Sequence, residues 1–232
     1  HRDLHSFPTR RSSDLLSIPR SNQGTISGNL AFTQEIIAIV LVALFGMLSD
    51  RIGRRPVMVF GTLVVAIGFA LYPFATSLTE LFIYRAVFAT GAAALSAVLA
   101  IIVNDYPQER SRGKLISVHS VLNALGVAVF ATLLGRLPTV FTNNGYDPVT
   151  SGQYTMLLVA GLTFVSGLIF LRGLKGGTPA KNHNKPSIGE LVKVGIESGK
   201  NPRIALAFGA TLLARADVSV NGIFISLWAV TS

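Results

Sequence analysis

Across its 232 residues the chain is 50% hydrophobic and only 13% charged, and its mean hydropathy is +0.54. That charged share is about half the share in soluble globular domains, and it is gathered in short stretches between long uncharged ones, the pattern of membrane spans joined by polar loops. The absence of cysteine excludes a disulfide framework and a thiolate metal site. The net charge of +9 is spread over the breaks between apolar runs, which argues against a nucleic-acid surface.

The first fifteen residues stand apart. His1-Arg2-Asp3-Leu4-His5-Ser6-Phe7-Pro8-Thr9-Arg10-Arg11-Ser12-Ser13-Asp14-Leu15 reads as a translated short-read sequencing adapter, and it lacks the apolar core of a targeting peptide. The segment is therefore expected not to be native and is left out of the fold.

Six apolar segments follow, each near the ~20 residues that cross a ~30 Å hydrocarbon core. Each is predicted to be a helix, because the bilayer offers no water to an open backbone. The first, Ile26 to Leu48, holds one acid, Glu35. It lies roughly 20 Å from the far end of its span at ~1.5 Å per residue. Glu35 is a candidate proton carrier, with a carboxyl hydrogen-bonded between helices or facing water near the surface as the alternative.

At the end of this segment comes Gly46-Met47-Leu48-Ser49-Asp50-Arg51-Ile52-Gly53-Arg54-Arg55-Pro56. Gly46 is placed to let a neighbouring helix approach closely, and Gly53 to supply a turn. Asp50, an acid among bases, asks for a cation or a helix N-terminus as its partner.

The second segment, Val57 to Ala75, carries no charge, and the third, Leu78 to Val103, has Arg85 near its start. The bland reading of Arg85 is an arginine near the outer interface whose side chain snorkels to water. The fourth, Leu115 to Leu134, contains His119 and Asn123 on one helix face, where interhelical hydrogen bonds are expected. The fifth, Tyr154 to Leu171, is uncharged.

The stretch 172–203 opens with the linker residues Gly176, Gly177, Pro179 and Pro186. Ser187 and Glu190 then form a capping box ahead of the apolar stripe Ile188, Leu191, Val192 and Ile196. A short amphipathic helix is predicted there, lying on the membrane surface or solvated as a linker.

The sixth segment, Ile204 to Val230, contains Arg215 and Asp217. A charge in a span costs roughly 2.5–3.5 kcal/mol on insertion scales, so such residues are rarely idle. Arg215 falls ~16 Å into the segment, near the midplane, and Asp217 points almost the opposite way, sharing a face with Asn221. At least one of the pair is expected to line a central cavity.

Thirteen basic residues occupy the breaks 49–56, 104–114 and 172–203, whereas the alternate breaks hold only Arg20 and Arg136. The positive-inside rule puts the thirteen in the cytoplasm, so the first segment starts outside.

The run from Gly46 to Pro56 resembles motif A of the major facilitator superfamily, G-x-L-S/A-D-R/K-x-G-R-R/K, at every defined position. The resemblance implies an all-α polytopic membrane protein with a partial major facilitator fold, holding six of twelve transmembrane helices. Because motif A follows the second helix in that family, the six segments correspond to helices two to seven. Residues 16–171 are then an N-terminal bundle lacking its first helix, 172–203 the cytoplasmic central loop with its amphipathic helix, and 204–232 helix seven. Gly46, Asp50, Arg51, Gly53, Arg54 and Arg55 are implied to form a gate that holds the two halves of the transporter together in its outward-facing state. Asp105 is placed like the acid that family members pair with a motif A arginine, here Arg54, with Arg112 on the adjacent loop. A second run, Arg85-Ala86-Val87-Phe88-Ala89-Thr90-Gly91, resembles motif B, whose arginine the family associates with proton coupling; Phe88 and Ala89 depart from that pattern. The antiporter signature of the family's fifth helix is absent.

The implied function is secondary active transport of a small solute by alternating access, proton-coupled, as a symporter or uniporter. Glu35, Arg85, Arg215, Asp217 and Asn221 are the candidates for proton coupling or substrate contact. The competing readings are a transporter-like receptor or sensor without net transport, and a fragment without function. No Walker A loop and no G-x-S-x-G or H-E-x-x-H constellation occurs, so neither ATP-driven transport nor an enzyme is expected. No cofactor or metal is expected. The partners are a small-molecule substrate and the lipid bilayer, with no nucleic acid. The complete protein is expected to be a monomer in the plasma membrane (the inner membrane of a bacterium) with its basic loops cytoplasmic.

Overall fold

The structure, a computed structural model, describes residues 20–105, 112–174, 188–206 and 209–210. The chain divides into two compact units after Pro179. The first holds five long helices: α1 (Arg20–Ile52), α2 (Arg54–Leu71) continued by a 3-10 turn at Tyr72–Phe74, α3 (Leu78–Asp105), α4 (Arg112–Asn143) and α5 (Pro148–Gly173). All five are long and apolar enough to cross a membrane. The second unit contains α6 (Ile188–Ser198), which begins one residue after Ser187 and is followed by Gly199. Glu190, Lys193 and Glu197 are exposed on it. Most of the sixth apolar segment, Arg215, Asp217 and Asn221 included, lies outside the described residues.

Local chemistry sets the helix ends. Pro56 sits in the first turn of α2, where its missing N–H leaves no intrahelical bond unmade. Before α3, the Ser77 hydroxyl accepts from the Glu80 N–H at 3.2 Å, while the Glu80 carboxylate reaches back to the Thr76 N–H at 2.7 Å. Two orphan donors are thereby satisfied at the helix start. Asp147 caps α5 by accepting from the Val149 N–H at 3.0 Å, with Pro148 at the first helical position.

The fourth apolar segment was expected to end at Leu134, before Arg136 and Pro138, but α4 runs on to Asn143. Arg136 is exposed, and Pro138 is accommodated inside the helix, as membrane helices allow. The loop that remains is only the turn around Asn144 and Gly145, where φ is 91°.

The buried centre of the first unit is α2, which packs against α1, α3 and α5, while α1 packs broadly on α3. At one end Leu30, Tyr72 and Leu81 cluster with Met156 against them. At the other, Val57, Met58, Ala94 and Val98 cluster with Phe45 and Phe170 against them. Helices α1, α3 and α5 therefore run parallel, from the Tyr72 end to the Gly53 end, and α2 returns between them. Glycine makes these crossings close. A Cβ built on Gly91 would lie 2.7 Å from the Gly61 carbonyl oxygen and the Val65 nitrogen, and one on Gly68 would lie 2.9 Å from the Phe88 backbone. Backbones approach this closely where small residues form the helix interface, as membrane bundles require. α4 is different: most of its described side chains are exposed, and it is held chiefly to α5.

Candidate functional site

At the Gly53 end the chain reverses between α1 and α2 through one residue. Gly53 adopts φ 99° and ψ 160°, a region that is essentially glycine's alone. Its N–H donates to the Ser49 carbonyl at 3.0 Å, closing the last turn of α1. Ser49 is fully buried and donates its hydroxyl to the Gly46 carbonyl at 2.8 Å, so a small side chain is required there. The sequence reading gave Ser49 no role of its own; the S/A of the motif was its only signal.

Because the reversal is so tight, the charges of the motif fall on both sides of it. Arg54, at the start of α2, is 6% exposed, and its Nη2 lies 3.7 Å from Asp50 Oδ1 on the last turn of α1. Asp50 is mostly exposed, and Arg51 is exposed too. Arg55 turns the other way and donates from Nη2 to the carbonyl of Leu171, in the last turn of α5. A guanidinium there meets carbonyls that have no intrahelical donor and the negative end of the helix dipole. Asp50, Arg54 and Arg55 thus tie together the ends of α1, α2 and α5. Arg55's partner is a backbone carbonyl some 116 residues away, which no side-chain pattern announces.

A Cβ built on Gly46 would meet nothing within 4 Å among the described residues. The expected partners Asp105 and Arg112 occupy the end of α3 and the start of α4, but their side chains lie outside those described. On α4, His119 is partly buried and Asn123 is exposed.

Of the other candidates, Glu35 lies partly buried on α1. Arg85 lies on α3, where its Nη1 donates to the Tyr72 hydroxyl at 3.3 Å and its guanidinium sits 5.6 Å from the centre of the Phe88 ring. Phe88, which departs from the motif B pattern, is packed edge-on against Phe69 at 5.1 Å. The structure thus keeps Arg85 apart from the cluster at Gly53, toward the opposite end of the bundle.

Five apolar helices and a charged single-residue reversal at one end define an integral membrane protein built as a helical bundle. The family model of the Major Facilitator Superfamily matches residues 16–231, and the chain belongs to that superfamily. It is 28% identical over 226 residues to the magnetosome protein MamH of Paramagnetospirillum magneticum, covering 93% of this chain and 49% of that protein. It is 32% identical over 145 residues to the multidrug resistance protein MdtH of Aeromonas hydrophila, covering 62% of this chain and 33% of the relative. With the inner membrane transport protein YajR of Escherichia coli it shares 34% identity over 116 residues, half of this chain and 24% of the relative. The chain spans half or less of the length of these relatives. No solved structure matches it.

Proposed function

We propose that the complete protein is a secondary active transporter of a small solute, working by alternating access and coupled to protons, with the Gly53 turn as part of its cytoplasmic gate. The observation that carries this reading is the junction just described, in which Asp50, Arg54 and Arg55 join three helix ends across a turn that only glycine makes. Such a junction moves as one piece when a bundle rocks, and its ion pair is exposed on the Asp50 side, where a partner bundle can compete for it. Alternating access by rocking of helical bundles needs contacts of this kind, made in one state and broken in the other. The relatives named as transport and multidrug resistance proteins support the same class of activity.

Asp50→Asn removes the charge and keeps the shape. In the complete protein reconstituted in proteoliposomes, gradient-driven uptake is expected to fall by at least tenfold, with protein yield unchanged. Uptake equal to that of the parent would remove the gate from the mechanism. A scaffold that binds solute but shows no flux with Asp50 intact would instead favour the receptor reading.

A further inference from the structure

The turn between α4 and α5 gathers three aromatic rings. At the end of α4 the Gly145 N–H donates to the Thr142 carbonyl at 3.0 Å and the Tyr146 N–H to the Phe141 carbonyl at 3.2 Å, with Gly145 at φ 91°. This ending folds the residue after the glycine back over the last turn, and an apolar contact between the two regularly accompanies it. It accounts for Tyr146 meeting Phe141, their ring centres 6.1 Å apart. It does not account for Tyr154. That ring comes from the second turn of α5 and stands 5.5 Å from Tyr146 and 6.0 Å from Phe141.

Each ring stands steeply across the other two, at 88°, 70° and 81°. Rings that pack only to fill space are enclosed, yet Tyr146 and Tyr154 are 46% and 44% exposed. The turn beneath them is held firmly. The Thr142 and Ser151 hydroxyls meet at 3.3 Å, Ser151 is fully buried, and Gln153, beside Tyr154, donates from Nε2 to the Pro73 carbonyl at 3.1 Å. Asp147 follows Tyr146 directly; its Oδ2 caps α5, and the residue is exposed. Aromatic faces and a carboxylate both attract a cation. Between Arg136 and Arg172 the sequence carries no basic residue that could serve as that cation.

We propose that Phe141, Tyr146 and Tyr154 line an open corner that binds a quaternary ammonium group, with Asp147 supplying the countercharge. A cation seated there comes within ~6 Å of each ring centre, the range of cation–π attraction. The preference for a quaternary group follows from what the corner offers. A primary ammonium brings three N–H donors, each needing an acceptor once its water is lost. A quaternary ammonium has none, and ring faces satisfy it. Two sources carry such a group, the choline headgroup of a surrounding lipid and a free solute. The corner lies at the Tyr72 end of the bundle, opposite the Gly53 turn, and its occupancy does not depend on the transporter reading.

The test uses the full chain in phosphatidylglycerol nanodiscs, with choline as the probe, read by saturation transfer to its N-methyl protons. Choline is expected to bind saturably, and 3,3-dimethylbutanol, which has the same shape without the charge, about tenfold more weakly. Tyr154→Leu is expected to weaken choline binding about tenfold, whereas Tyr154→Phe, which keeps the ring, retains it. Asp147→Asn, which caps a helix equally well, is expected to weaken it about threefold. In nanodiscs of phosphatidylcholine deuterated in its headgroup, a lower apparent affinity for free choline assigns the corner to the lipid, and an unchanged affinity assigns it to a solute. Equal binding of the neutral analogue overturns the site and leaves an aromatic edge of the kind that membrane interfaces carry. So does choline binding that Tyr154→Leu leaves intact, because the cation is then held elsewhere. Absence of choline binding overturns it outright.

Discussion

Replacing Gly91 by alanine is expected to lower the thermal unfolding midpoint of the detergent-solubilised chain by roughly 5 °C, whereas Gly46→Ala is not. Both glycines lie inside helices, so both substitutions gain the same intrinsic helix preference, up to ~1 kcal/mol. The difference between them is what the new methyl group meets. At Gly91 it would sit 2.7 Å from the Gly61 carbonyl oxygen and the Val65 nitrogen, and 2.8 Å from the Val65 side chain. Two of those atoms are backbone and cannot rotate away, so α2 and α3 must separate. Overpacking of this kind costs ~1–3 kcal/mol, and a chain of this size loses about 2–4 °C per kcal/mol. At Gly46 the methyl group meets open space. If the Gly91 variant melts at or above the parent, the close α2–α3 crossing is wrong.

Gly53→Val is expected to open the α1–α2 turn locally, without unfolding the bundle. At φ 99° and ψ 160° a side chain is strained whatever space surrounds it, at a cost of ~1–3 kcal/mol. The strain is relieved when the turn flattens, which breaks the Gly53 N–H bond to Ser49 and draws Arg54 out of its buried position. Trypsin reports this directly, since cleavage tracks the population of the open form when closing is fast. Cleavage after Arg54 is expected to accelerate about tenfold, the factor that ~1.4 kcal/mol gives, while cleavage after the already exposed Arg51 changes little. Equal acceleration at both sites would mean global loosening, and no change at either would mean that another residue fits the turn.

Much of this was readable in advance, and the reasons differ from place to place. The spans were legible because a bilayer admits few backbone solutions. Glu35 and Arg85 stood out because an ionisable group in an apolar run is costly. The turn at Gly53 was legible because only one residue type serves it. Three things were hidden. Arg136 and Pro138 mimicked a loop, but α4 carries them within its extra turns. The close packing at Gly61, Gly68 and Gly91 was not singled out, since a glycine's neighbours are chosen by another helix and leave no mark beside it in sequence. The partner of Arg55 is a carbonyl oxygen, which every residue has. At the other end, the pairing of Arg85 with Tyr72 depends on how α2 and α3 lean together across 13 residues of sequence, not on either motif.

The burial of α2 bears on how the bundle is made. Among the described residues 56% of its apolar window is enclosed, against 11% in α1, although the two are equally hydrophobic. An enclosed helix has no need of a lipid-compatible surface once its neighbours are in place. During biosynthesis, however, each span leaves the insertion machinery in turn, and α2 enters the bilayer before α3 and α5 have been synthesised. Its outward apolarity is thus a record of that interval, when lipid alone surrounds it, and its glycines serve the later moment when lipid is squeezed out. Polar substitutions on the enclosed faces of α2 should therefore damage insertion first and packing second.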